Sequence, residues 1–301
     1  MKKRLPTPIK DGITGVAMGT AVIIPGISGG TIALIFGAID KITSAVRNLF
    51  SKKLLRNVLI LLPFLIGAVI AVAALYIPFD LALKNIKFSL VCLFAGLIAG
   101  SFPLITAEVQ HKKITTSDFS GLLIGLIISV FIGVFSVIFN FSSSISKLFS
   151  EIPASLYLII FAVGIVSAAG LIVPGLSGSL ILLVLGFYEN VFGLIKFKNG
   201  FKDFGLLACF AFGVLVGFIL WSILMNKVLT KHRKGALFVI IGFVIGSLFA
   251  IFFNSGMVNW YHSNKFGLLE WILGPCLAII GFIGSFIFSK YAKKQSEVTN
   301  A

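Results

Sequence analysis

Apolar residues run almost without polar interruption over about 55–78, 88–107, 119–141, 203–226, 235–253 and 268–290, with Lys, Arg, Asn or Ser at the ends of each run. Roughly 20 apolar residues, at about 1.5 Å per residue of helix, cross the hydrocarbon core of a bilayer, so the six runs predict transmembrane helices. Two further stretches, 12–46 and 155–194, are too long for one crossing and are broken midway by PGISGGT at 25–31 and PGLSGS at 174–179. Proline removes a backbone donor and stops the preceding helix, while glycine admits a tight turn, so each stretch predicts two helical arms joined by a non-helical turn.

The pattern occurs twice. At an offset of 149, Gly15 meets Gly164, Ile23 meets Ile172, Pro25 meets Pro174, Gly26 meets Gly175, Ser28 meets Ser177, Gly29 meets Gly178 and Gly37 meets Gly186, with Asp40 falling on Glu189. At an offset of 146, Gly67 meets Gly213, GLIAGS at 96–101 meets GFVIGS at 242–247, and GLL at 121–123 meets GLL at 267–269. Order and spacing kept over four segments predict an internal duplication, residues 1–145 and 146–301, each a broken stretch plus three spans. With re-entrant hairpins and a cytoplasmic N-terminus, 17 basic residues fall inside and 7 outside. If both broken stretches crossed, the split would be 14 to 10, so the positive-inside rule selects hairpins. A hairpin plus three crossings is odd, and the second repeat is then inverted, with both termini cytoplasmic.

Composition sharpens the class. Of 301 residues, 58% are hydrophobic and 12% charged, against about a quarter charged in an ordinary soluble domain. A water-soluble globule is excluded, and the expected fold is an all-α polytopic membrane protein of two inverted repeats. The 25 Lys+Arg exceed the 10 Asp+Glu, but they sit in short loops, which reads as topology and contact with anionic lipid, not nucleic acid. Cys92, Cys209 and Cys276 lie in apolar runs without CxxC spacing, and His111, His232 and His262 lie in polar loops without ligand spacing. Neither a disulfide nor a metal or other cofactor is expected. The N-terminal MKKRLPTPIKDG lacks a small-residue cleavage site, so no removable signal peptide is expected.

The two turns carry the candidate chemistry. A non-helical turn within a bilayer must be buried in protein or line a wet cavity. Helices resuming at Thr31 and Leu180 would aim N-terminal amides at the midplane from opposite sides, an anion site flanked by the hydroxyls of Ser28, Thr31, Ser177 and Ser179. Pro25, Gly26, Ser28, Gly29, Gly30, Thr31, Pro174, Gly175, Ser177, Gly178 and Ser179 are therefore the candidate substrate-binding residues, and tight packing of small residues is the competing reading. Asp40 and Glu189 follow Thr31 and Ser179 by nine and ten residues, roughly 14 Å of straight helix, which carries them to the two interfaces as gating or proton-coupling groups or as helix-end acids. Lys41 and Arg47 could receive an anionic headgroup or snorkel to the interface.

PGISGGTIALIFGAIDKI at 25–42 and PGLSGSLILLVLGFYENV at 174–191 resemble the polyprenyl-phosphate transporters of the PopT type, also known as domain of unknown function 368, over about residues 10–290. The resemblance implies a flippase that returns undecaprenyl phosphate, the lipid carrier of cell-wall precursors, from the outer to the inner leaflet of the bacterial plasma membrane. The second motif departs from the first at Ser179 and Leu180, where Gly30 and Thr31 stand, so the hairpins need not contribute equally. Two rivals share the site logic. An exporter of a small anionic metabolite would differ in cavity shape, and a lateral opening to lipid discriminates against it. An undecaprenyl-diphosphate phosphatase would need Arg in a PGxSRSG-like turn, and Gly29 and Gly178 stand in that place; no catalytic residue is expected. Protons are the candidate coupling ion, and homo-oligomerisation is left open.

Overall fold

The computed structural model describes residues 7–24, 29–47, 54–106, 109, 115–138, 141–172, 177–263 and 266–300, nearly all helical. The first half comprises α1 (Thr7–Ile23), α2 (Gly29–Ile35), α3 (Ile39–Arg47), α4 (Leu54–Asn85), α5 (Lys87–Gly100), α6 (Phe102–Thr106) and α7 (Thr116–Ile138). After α8 (Phe141–Glu151) come α9 (Ala154–Ser167), α10 (Ala169–Ile172), α11 (Gly178–Leu185), α12 (Tyr188–Gly193), α13 (Phe201–Ala250), α14 (Ser255–Tyr261) and α15 (Leu268–Asn300). The chain is an all-α polytopic membrane protein.

Among the described residues, six helices are long and apolar enough to cross a membrane: Leu54–Asn85, Lys87–Thr106, Asp118–Phe135, Ala154–Leu171, Phe201–Met225 and Leu268–Lys293. Five of them match runs read from the sequence. The sixth run, 235–253, forms the shorter helix Lys234–Ala250, because the chain bends again before α14. Ala154–Leu171, expected as a hairpin arm, has the length of a full span, so the two arms of that stretch are unequal.

The returning arms are not straight. After α2 and α11 the chain passes through Gly37 at φ 65° and Gly186 at φ 78°, a left-handed conformation that side chains resist. Ala38 N donates to the Ala33 carbonyl at 2.7 Å and Phe187 N to the Leu182 carbonyl at 3.0 Å, closing both helices with the same six-residue bond. Beyond this stop the axis turns by 113° between 178–185 and 188–196. The straight run of helix expected to carry Asp40 and Glu189 to the interfaces is thus corrected: both acids open new short helices, α3 and α12.

Apolar side chains gain nothing by leaving lipid for a helix interface, so helices in a bilayer meet where small residues let backbones approach. A Cβ at Gly15 would lie 2.2 Å from the Phe64 carbonyl oxygen, and one at Gly19 would lie 2.5 Å from that of Ala68. The second half repeats this, with Gly164 at 2.4 Å from the Phe210 oxygen and Gly217 at 2.5 Å from that of Ile165. Residue numbers rise together across both contacts, so α1 runs parallel to α4, and α9 to the first part of α13. The halves then exchange partners. A Cβ at Gly96 of α5 would lie 2.0 Å from the Ala278 carbonyl oxygen of α15, and one at Gly242 of α13 would lie 1.9 Å from that of Leu122 of α7, again in parallel pairs.

These contacts set the register. They equate Ala278 with Leu122, an offset of 156, so the GLL triplets at 121–123 and 267–269 are not equivalent. The second half carries additional chain around α14 that shifts its last helix. The offset of 146 holds elsewhere: α13 breaks at His232, φ −136° and ψ 38°, just as Ile86 separates α4 from α5 at φ −140° and ψ 48°. Glu270, 1% exposed on α15, accepts from Ser89 N at 2.8 Å and Trp260 Nε1 at 2.7 Å, which locks α15 to the start of α5.

Candidate functional site

Residues on the helices flanking both central breaks line one cavity of about 450 Å³. From the first half Met18, Ala21, Ile23 and Gly29 line it; from the second, Gly170, Ser177, Gly178 and Ser179. Gly29, Gly30 and Thr31 form the first turn of α2, as expected for a resuming helix. Pro25, Gly26, Ser28, Pro174 and Gly175 lie outside the described residues.

On the second side the geometry is specific. Ser177, at φ −120° and ψ 143°, is the N-cap of α11, and its Oγ accepts from Leu180 N at 3.1 Å. The Ser177 and Ser179 hydroxyls lie 3.0 Å apart, both residues 6% exposed. Two hydroxyls carry two hydrogens and the bond between them uses one, so one donor is available at the cavity edge. The first-turn amides of α11 have no acceptor within their own helix, and the helix end adds partial positive charge. This corner can hold an anionic oxygen without a cation. The backbone reaches it only because Gly170 lacks a side chain: a Cβ there would stand 2.1 Å from Gly178 N.

Tyr188 is the residue that the sequence reading missed. Its ring is 3% exposed, and its hydroxyl donates to the Ile23 carbonyl at 2.7 Å, so the second half caps the end of the helix before the first break. At the offset of 149 its counterpart is Ile39, which has no hydroxyl; the unmatched polar residue beside a matched acid was the available signal.

Val22 and Leu171, equivalent at the same offset, both line the cavity, and they are 59% and 58% exposed, so apolar side chains that reach the accessible surface form part of its wall. Away from this wall, Glu189 meets the Lys87 ammonium at 2.6 Å. Lys41 is paired with Asp11 of α1 and lies 5.8 Å from the centre of the Phe64 ring. Asp40 is the second residue of α3 and Arg47 its last. The structure brings Gly29 together with Ser177, Gly178 and Ser179, and it holds Glu189 and Lys41 apart from them in separate ion pairs. Among the described residues no group of three or more His, Cys, Asp or Glu could hold a metal ion.

Bilayer-length helices packed through glycines, broken around a serine-edged internal cavity, define a polytopic membrane protein with a polar station at its centre. The model of a family described as undecaprenyl phosphate translocase-like matches residues 18–267, and the chain belongs to that family. A polyprenyl-phosphate transporter of Staphylococcus aureus (strain NCTC 8325 / PS 47) is 31% identical to it over 281 residues, covering 92% of this chain and 95% of that protein. A polyprenyl-phosphate transporter of Vibrio cholerae serotype O1 (strain ATCC 39315 / El Tor Inaba N16961) is 26% identical over 262 residues, 82% of this chain and 79% of that protein. No solved structure matches the chain at a significant level.

Proposed function

We propose that the protein moves undecaprenyl phosphate from the outer to the inner leaflet of the bacterial plasma membrane, recycling the carrier of cell-wall precursors. The observation that carries this reading is the apolar wall of the central cavity at Val22 and Leu171, side chains that line the cavity and are themselves exposed. A tail of tens of carbons cannot be enclosed in about 450 Å³, but it can remain in lipid while the phosphate occupies the corner at Ser177 and Ser179. A soluble anion needs no such apolar wall. The two relatives, both named polyprenyl-phosphate transporters, support the same substrate class.

Inverted repeats fit this task, since each leaflet then meets an equivalent half. The parallel pairing of α5 with α15 and of α7 with the second part of α13 supports inversion. Within one repeat the second and third spans point oppositely, so exchanged partners run parallel only if one repeat is upside down. Parallel α1 and α4 support re-entry, because the segment between them must return the chain to its starting face. Asp40 and Glu189 then sit at opposite faces as gating or proton-coupling groups, with Lys41 and Arg47 near the cytoplasmic one. The deciding experiment is a leaflet-sidedness assay of undecaprenyl phosphate in proteoliposomes, with and without a proton gradient. Redistribution of the lipid is expected; an unaltered lipid with transport of a soluble phosphate would replace this reading by that of an exporter.

A further inference from the structure

Tyr188 walls two cavities. On its other side lies a smaller one of about 240 Å³, lined by Lys87, Glu189, Asn190, Gly256 and others. Lys87 is the first residue of α5, whose N-cap, Ile86, offers no side-chain acceptor. A cation at a helix N-terminus is electrostatically opposed by the helix dipole, so positive potential is concentrated there. Glu189 answers it at 2.6 Å, but the two partners are unlike: the Lys87 side chain is 13% exposed and that of Glu189 44%. A half-exposed carboxylate can leave for water at little cost, whereas a buried ammonium needs some anion beside it. Lys87 also donates to the Gly256 carbonyl at 3.4 Å, and an ammonium has three donors.

We infer that Lys87 is a receiving station for a phosphate monoester, at which Glu189 holds the place of the phosphate until the headgroup displaces it. A phosphate monoester brings more charge and more acceptor oxygens than a carboxylate, which gives the exchange its direction. Tyr188 separates this station from the central corner at Ser177. The register extends the assignment. At the offset of 146 Arg233 stands where Lys87 does, directly after the equivalent break at His232, and at 149 Asp40 stands where Glu189 does. Each half thus carries a basic residue at the start of its second span and an acid after its glycine stop, the sequence elements of one station per half. This inference rests on the transport reading above and adds the residues that take the headgroup in.

The test uses the full chain in detergent micelles, with farnesyl phosphate and inorganic phosphate as probes in titration calorimetry. Lys87→Gln should weaken farnesyl phosphate binding by about tenfold or more, the loss of a charged hydrogen bond. Glu189→Gln, which keeps the cation and removes its competitor, should tighten it by about two- to fivefold. The exchanged pair K87E/E189K should fold yet fail to bind, because the cation then stands at the exposed position. Wild-type affinity in the exchanged pair or in Lys87→Gln would make the ion pair a structural clasp and overturn the inference. If Lys87→Gln fails to fold, Glu189→Gln decides alone: tightening supports the station, unchanged or weaker binding overturns it. Binding of inorganic phosphate but not farnesyl phosphate, lost in Lys87→Gln, would keep the station and sink the lipid reading instead. Wild-type binding of neither probe would overturn the station.

Discussion

At the first central break, α1 ends on an Ile23 carbonyl that Tyr188 caps from the other half of the chain; at the second, α11 is capped by Ser177 of its own half. Both breaks share a glycine stop and a following acid, but the described polar groups around the cavity are unequal. Where the second half has Gly170, Ser179 and Tyr188, the first has Ala21, Gly30 and Ile39 at the same offset. A duplicated scaffold needs only equivalent packing, and it retains that at Gly15 and Gly164. A site needs particular donors: among the described side chains the second half supplies Ser177, Ser179 and Tyr188, the last of which also braces the first half.

The comparison breaks hardest at Gly170. The first half tolerates Ala21 at the equivalent place, 4% exposed, whereas a methyl at Gly170 would meet Gly178 N at 2.1 Å, and backbone cannot step aside as a flexible side chain can. Gly170→Ala should therefore cost about 3 kcal/mol, the upper range for overpacking, and close the corner at Ser177. Ala21→Gly should cost about 1 kcal/mol, the helix-propensity difference alone. Thermal unfolding of both variants in one detergent checks the ratio. Equal losses would mean that the second break is as tolerant as the first.

Next in size is the brace between the halves. Tyr188→Phe keeps the buried ring and removes one hydroxyl, leaving the Ile23 carbonyl without its partner in a site that water reaches poorly. An unsatisfied buried acceptor costs about 1 to 3 kcal/mol. Ile39→Val, at the equivalent position of the first half, should cost less, since no hydrogen bond is lost with it. Loss of transport in Tyr188→Phe beyond what its stability change explains would mark the hydroxyl as part of the path and not only a brace.

How much of this was legible in the sequence follows from the same contrast. Hydrophobic run length gave five of the spans, because the bilayer imposes one physical ruler on every crossing. The offsets of 149 and 146 reappear as matched contacts at Gly15 with Phe64 and Gly164 with Phe210, because close helix packing admits only the smallest residues. GLL at 121–123 misled, since apolar triplets recur by chance and the additional chain at α14 moved the true register by ten residues, from 146 to 156. The bend after Gly37 and Gly186 was written in glycines that had been matched but read as helix. Lys87 entered only as one of the seven basic residues counted outside; its match to Arg233 at the offset of 146 was the missed signal. Tyr188 could be found only as a mismatch, a polar residue opposite Ile39 beside the matched pair Asp40 and Glu189, whereas a repeat search looks for matches.

A smaller effect is expected where the halves are alike. Gly37 and Gly186 both hold left-handed φ, with nothing within 4 Å of a Cβ at Gly37 and only Ile145 Cδ1, at 4.0 Å, near one at Gly186. Gly37→Ala and Gly186→Ala should each cost about 1 to 2 kcal/mol from backbone strain alone, and nearly the same amount. A large difference between them in thermal unfolding would mean that the two stops are not equivalent.

The smallest expected change in stability separates capping from binding at the second break. Asp caps a helix about as well as Ser, so Ser177→Asp should preserve α11 to within a few tenths of a kcal/mol, whereas Ser177→Ala should lose about 1 kcal/mol with the bond to Leu180 N. Their effects on transport should run the other way. Ser177→Ala leaves the Ser179 hydroxyl and the first-turn amides, and some transport should survive it. Ser177→Asp places a carboxylate in the corner where the phosphate is to sit, and like charges in a poorly hydrated cavity repel strongly, so transport should be abolished in a protein of ordinary stability. Normal transport by Ser177→Asp would remove the anion from this corner and leave Ser177 as a cap. Repeating the pair of substitutions at Ser28, the equivalent residue of the first half, then measures how far the two breaks share the load: equal losses restore a symmetric site, and a weaker effect at Ser28 leaves the headgroup on the side of Ser177 and Ser179.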